Sequence, residues 1–170
     1  MARQMKRLIA TAYHEAAHAI AALEFQHKFD FVTIIPTTVT GFEILGQVGG
    51  LKLAKSISNK LETGLDISMP ERVELKHLLI IKLAGGAAEK RLRNLKGFPK
   101  SATEDIRSSH QHSLRLFKGN YQLAKSYHEN IRKEAINLVG RSDIWGKIES
   151  LAYRLMIDRS LRYDDCIRIE

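Results

Sequence analysis

The sequence predicts a mainly α-helical single domain over residues 1–170 with a small β-sheet, on three observations. Stretches with apolar residues at helical spacing recur along the chain, whereas only two short runs, "FVTIIP" and "FEILGQVGGLKL", have the β-branched or glycine-punctuated character of strands. At 170 residues, 44% of them apolar and 27% charged, the chain can bury one core and has the composition of an ordinary globular protein.

Taken in order, residues 5–26 lack glycine and proline, and Leu8, Ile9, Ala12, Ala16, Ala19 and Leu23 keep a near-helical spacing, so a first helix is expected. "FVTIIP" reads as a strand stopped by Pro36, and "TTVTG" as the turn after it. "FEILGQVGGLKL" reads as a second strand, and residues 51–68, a mixture of polar and small residues, as a mobile loop. Ser68 is a plausible N-cap for a long helix, with Pro70 and Glu71 in its first turn; Gly85 and Gly86 inside it imply close packing or a kink. "RNLKGFPK" is a connection, and Ser101 and Glu104 form the S-x-x-E pattern of a capping box for the next helix. Two more helices, near 121–139 and 143–157, precede a short tail.

Composition narrows the function classes. The lone Cys166 excludes an internal disulfide and a cysteine-rich metal cluster, and it reads as a small filler. "HLLIIKLAGGAA" is too short and too interrupted to span a membrane, and the N-terminus has no apolar core of a signal peptide. A cytoplasmic location is therefore expected. The net charge of +8 concentrates in residues 82–100, where Lys82, Lys90, Arg91, Arg93, Lys96 and Lys100 face only Glu89. Such a segment can attract acidic partners, but only one aromatic residue, Phe98, interleaves with it, and nucleic acid is not expected.

The chemistry resides in "TAYHEAAHAI", residues 11–20. On a helix His14 and His18 lie about 40° apart on one face, one turn apart along the axis, so both imidazoles can bind one metal ion. Glu15 projects roughly 60° from His18, outside that coordination but within reach of an activated water. A catalytic zinc takes three protein ligands and keeps an open position, so a third ligand is required. The metzincin extension is excluded by Ala21 and Glu24. Two carboxylates further along remain as candidates: Glu89 would complete a thermolysin-like set, and Asp105 sits in the first turn of a helix. His110 and His112 read as surface histidines.

Several segments, in order, resemble the peptidase domain of FtsH-type proteases. "AYHEAAHA" is similar to that family's A-Y-H-E-A-G-H-A, "VTIIP" to the strand after its zinc helix, "LAGGAAEKRL" to its L-G-G-R-A-A-E-E helix and "SATEDI" to the G-A-E-N-D-L segment that carries its third ligand. "DIWGKIESLAYRLMIDRSL" is similar to the family's terminal helix and leucine-led turn. The resemblance implies a helical, zincin-like fold with Zn2+ held by His14, His18 and Asp105, and with Glu15 as general base and acid. It further implies that Gly46, Gln47, Val48 and Gly49 form an edge strand that aligns an extended peptide.

The chain departs from the family in Ala17, where the family has glycine, and in lacking the arginine after the double glycine. It also carries neither the family's membrane helices nor its ATPase module, and no phosphate-binding G-x-x-x-x-G-K-[ST]. The expectation is an ATP-independent zinc metallopeptidase acting on peptides or unfolded segments, with a separate ATPase partner and the oligomeric state left open. A non-proteolytic module that holds a peptide in the same groove is the alternative.

Overall fold

The computed structural model describes residues 2–39 and 42–169. Helix α1 (Ala2–Glu24) ends where Gln26 takes a left-handed φ of 59° and the His27 N–H donates to the Ala22 carbonyl at 2.8 Å. Strands β1 (Phe31–Thr33), β2 (Thr37–Val39), β3 (Phe42–Ile44) and β4 (Gln47–Gly49) follow, then helices α2 (Lys55–Glu62) and α3 (Met69–Leu92). A 3-10 turn (Lys100–Ala102) leads into α4 (Thr103–Leu116), then α5 (Tyr121–Gly140), α6 (Ser142–Asp158), β5 (Ser160–Arg162) and α7 (Tyr163–Cys166). The mainly helical architecture with a small sheet is as the sequence predicts. No described helix is long and apolar enough to cross a membrane.

The core lies between α1, α3, α5 and α6. Ala12, Ala16 and Ala19 of α1 are fully buried, as are Leu79, Leu83 and Ala84 of α3 and Ile148, Leu151 and Leu155 of α6. Alanine at the buried positions of α1 lets its backbone approach α3 and α6 closely, and long leucine and isoleucine side chains from the partners fill what remains. Ser68 caps α3 reciprocally: its hydroxyl accepts from the Glu71 N–H, and Glu71 Oε2 accepts from the Ser68 N–H at 2.7 Å.

The sheet has the order β4-β1-β5, antiparallel throughout, with Val32 opposite both Val48 and Leu161. Strand β4 is thus an edge of this sheet.

Four local expectations are corrected. "TTVTG" is not simply a turn: Thr37–Val39 is β2, paired antiparallel with β3 in a separate two-stranded unit, while residues 40 and 41 lie outside the described residues. "FEILGQVGGLKL" is not one strand, because the chain breaks at Leu45 and Gly46, where an added Cβ on Gly46 would lie 2.8 Å from the Thr33 carbonyl oxygen. Residues 51–68 are not all loop: Ile57 and Leu61, one turn apart, bury one face of α2. Ser101 does not cap α4; the N-cap is Ala102 without a side-chain bond, and the Ser101 hydroxyl is engaged elsewhere. Cys166 is buried, as a filler would be.

Candidate metal centre

His14 and His18 share one face of α1, their rings edge to face with centroids 4.8 Å apart. That face abuts α3 where Gly85 stands. A Cβ there would lie 2.5 Å from His18 Nε2 and 2.7 Å from His14 Nε2, so the glycine exists to leave room for the two imidazoles. The close packing expected of the double glycine is thereby located, and Gly86 serves a different neighbour, since its Cβ would meet Ala102 and Phe98.

Asp105, in the first turn of α4, completes the cluster. Its Oδ2 lies 3.2 Å from His14 Nε2 and 3.6 Å from His18 Nε2. Three donors on a tetrahedron with arms of about 2.05 Å stand roughly 3.3 Å apart, so these spacings fit one ion of zinc size. Two imidazoles and one carboxylate are also a donor set that zinc accepts in catalytic sites.

The atoms behind the ligands reinforce the fit. His18 Nδ1 lies 2.7 Å from the Ile81 carbonyl oxygen; a carbonyl only accepts, so Nδ1 carries a proton and Nε2, on the side of Asp105, is the nitrogen available to a cation. His14 Nδ1 is buried without a hydrogen-bond partner, and the nearest carboxylate oxygen, Glu89 Oε2, is 3.6 Å away. Glu89 was one of two candidates for the third ligand from sequence. It is instead buried behind His14, where Ser101 Oγ donates to one oxygen and Arg93 to the other. The role of Ser101 was not legible, because its spacing to Glu104 advertised a cap.

Electrostatics follow from this crowding. Burial works against a charged His14, but the hydrogen bond to Asp105 and the carboxylates of Glu89 and Glu15 dominate, and the imidazolium is held up to about 10 when no cation is bound. Burial likewise opposes ionisation of Glu89, yet His14, Ser101 and Arg93 bring it down to about 2. Burial opposes ionisation of Asp105 as well, and His18 and His14 still hold its carboxyl well below the usual range. Negative charge is thus stored around two imidazoles, a setting in which a divalent cation can replace protons.

Glu15 is 7% exposed and lies along the same cleft. Burial raises its pKa, His14 and His18 pull it back, and Asp105 adds to the rise. Its side chain rests against Gly46, whose added Cβ would stand 2.6 Å from Glu15 Cγ. The cleft, about 490 Å3, is lined on its far wall by Leu45, Gly46, Gln47 and Val48. Of the four residues expected to form a peptide-aligning edge, Gln47, Val48 and Gly49 are β4 and Gly46 precedes it. Gly49 is not part of the cleft lining; it faces the ring of Phe31, which an added Cβ would strike.

The two downstream histidines are less exposed than expected. His112 is half-buried with its Nδ1 2.8 Å from the Ser108 carbonyl oxygen, and His110 packs against Tyr121 and His128. The basic segment 82–100 is not one patch either. Arg91 donates to the Val139 and Gly140 carbonyls and lies over the Trp145 ring, Arg93 binds Glu89, and Lys82 lines the cleft.

No protein-family model matches this chain, and no curated protein sequence does.

Proposed function

We propose that this chain is a zinc-dependent, ATP-independent metallopeptidase that hydrolyses peptide bonds in peptides or unfolded segments, with the zincin-like architecture of FtsH-type peptidase domains. The observation that carries the proposal is the convergence, in one cleft, of His14, His18 and Asp105 with a buried Glu15 and an edge strand. A scaffold that only needed rigidity would have no use for a glutamate of raised pKa beside three donors and an accessible cleft.

His14, His18 and Asp105 would hold Zn2+, which when bound supplies Lewis acidity to the scissile carbonyl and to water. The chain's own groups do the rest. The unpaired edge of β4 accepts an extended substrate through backbone hydrogen bonds and thereby fixes its register along the cleft. Glu15, ionised at the start, takes a proton from the attacking water and later delivers it to the leaving amine. Its burial serves both steps, since a raised pKa brings acceptance and return of the proton closer in energy. Glu89 stands behind His14 and favours the orientation in which Nε2 faces the cleft.

The test is metal content matched to cleavage. Elemental analysis is expected to give one zinc per chain, lost with Asp105→Ala, and peptide cleavage is expected to stop on chelation and in Glu15→Gln, which keeps its zinc. Cleavage that survives chelation or Glu15→Gln would defeat the mechanism. Zinc bound with no cleavage across a broad peptide panel would make the chain a peptide-binding module instead.

A further inference from the structure

Among the described residues, Lys82 is the only lysine or arginine lining the cleft, and no hydrogen bond or ion pair holds it. Three of the four carboxylates that line the cleft with it are otherwise engaged, Glu89 by Ser101 and Arg93, Glu104 by Arg107 at 2.7 and 3.0 Å, and Asp105 by the two imidazoles, while the fourth, Glu15, rests against Gly46 on the opposite wall. Lys82 of α3 lines the same cleft as Glu104 and Asp105 of α4, which places it at the side of α3 that faces α4. A half-buried lysine without an ion-pair partner in a cleft is an anion receptor waiting for its ligand.

Its position says where that anion would be. Lys82, Gly85 and Glu89 follow one another at helical spacing on α3, and Gly85 is the residue beneath the imidazoles. Lys82 is therefore about one helical turn, roughly 5 Å along the axis, from the donors. An extended peptide advances roughly 3.3 Å per residue, so the ammonium serves a group one or two residues from the bond at the donors.

We propose that Lys82 is a specificity-determining residue that selects peptides bearing a carboxylate within two residues of the scissile bond. The proposal rests on the peptidase reading of the cleft for the word scissile, but the recognition itself is a binding property. Two sources could supply the carboxylate, an aspartate or glutamate side chain and a free C-terminus. Either would be met by a single flexible ammonium that makes no demand on planar geometry, unlike an arginine fork. Lys82 is half-buried in the cleft lining, so its charge is less screened than one on the open surface.

The experiment measures binding, by fluorescence anisotropy, to the zinc-loaded Glu15→Gln chain, in which bound peptides persist. Three peptides of one sequence are compared: one with an internal glutamate and an amidated end, one with glutamine and an amidated end, and one with glutamine and a free end. At least one carboxylate peptide is expected to bind about tenfold tighter than the neutral one, a charge-assisted hydrogen bond's worth. That preference should vanish when Lys82→Ala is added and largely return with Lys82→Arg. Which of the two carboxylate peptides gains identifies the source.

Equal binding of all three peptides, binding of none, or a preference that survives Lys82→Ala overturns the proposal. In the otherwise wild-type chain, Lys82→Ala should raise KM for the carboxylate substrate and leave kcat unchanged. A loss of kcat that is equal for neutral and acidic peptides would make Lys82 a group acting on the reacting carbonyl and would also overturn selection. If the peptides bind with the stated preference but the zinc-loaded wild type cleaves none, the peptidase reading fails while the recognition stands.

Discussion

Three pairs of histidines lie edge to face among the described residues, and two of them are electrostatic opposites. In the cleft, His14 and His18 have ring centroids 4.8 Å apart at an interplanar angle of 76°; at the α4–α5 seam, His110 and His128 are 5.4 Å apart at 79°. The ring geometry is nearly the same. Yet His14 is held up to about 10, whereas burial, then the charges of His110 and Arg132, bring His128 down to about 4. The difference is the carboxylate supply: Asp105 and Glu89 stand within 3.6 Å of His14, and His128 has only the weaker coulombic pull of Glu129. A pair of imidazoles becomes a cation site when acidic groups surround it, and an ordinary packing contact when they do not.

Making the cleft resemble the seam should therefore have the largest effect. Asp105→Ala removes the third donor, and zinc content measured by elemental analysis is expected to fall from one per chain to near zero. Gly85→Ala should match it without touching a donor, because its methyl would occupy space 2.5 to 2.7 Å from both Nε2 atoms. A Gly85→Ala chain that binds zinc normally would mean that α1 and α3 separate easily. Gly46→Ala, the matching change on the opposite wall, meets Glu15 rather than a histidine, so zinc should remain while cleavage is lost.

A smaller loss is expected from Glu89→Gln. It keeps the shape behind His14 and removes the charge, and partners of this kind are worth about 10- to 100-fold in metal affinity. Competition with a calibrated chelator would measure it. An unchanged affinity would show that the 3.6 Å separation from His14 Nδ1 is too long for Glu89 to matter.

The pairs should also give opposite pH trends in the chelated protein. His14 has its pKa raised, so its protonation contributes stability that is fully present below pH 6.5 and lost as pH rises through about 10. Denaturation midpoints of the chelated chain should fall over that alkaline window, and zinc should abolish the fall because the cation takes the proton's place. An alkaline fall of equal size with and without zinc would place its origin outside the cleft.

This contrast also explains what the sequence could and could not reveal. Both cleft histidines and Glu15 sit within one turn and a half of a single helix, where the 3.6-residue period alone decides which side chains are neighbours. Asp105 was readable as a candidate through its place near a helix start, and through a family resemblance, though not through the cap assigned to Ser101. Glu89 was weighed as a ligand because a carboxylate facing a histidine pair looks the same in sequence whether it meets the metal or the ring behind it. The floor at Gly85, the turn of Ser101 toward Glu89 and the split of residues 42–49 between two sheets depend on contacts across α1, α3 and β1, which no local pattern encodes. Helix α2 went unread because an eight-residue helix with two buried apolar positions, Ile57 and Leu61, gives too short a period to recognise.

The smallest effect belongs to the seam. His128 is 6% exposed and its Nε2 has no hydrogen-bond partner, so the folded protein resists protonating it while the unfolded chain does not. A histidine whose folded pKa lies near 4 costs stability progressively as pH falls from 6.5, with the full cost present below about 4. His128→Leu removes both the titration and the orphaned nitrogen, at a similar side-chain volume. At neutral pH the variant is expected to gain roughly 1 kcal/mol, the lower end of what a buried unpaired polar atom costs. The more telling readout is the slope: urea midpoints of the wild type should decline between pH 6.5 and 4, and those of His128→Leu should decline less. The zinc content of the variant should not change, since the seam lies on the side of α4 that meets α5 and holds no metal donor. Equal slopes in the two proteins between pH 6.5 and 4 would remove His128 from the account, and Asp105 and Glu89, which lose their ion pairs only at lower pH, would not take its place.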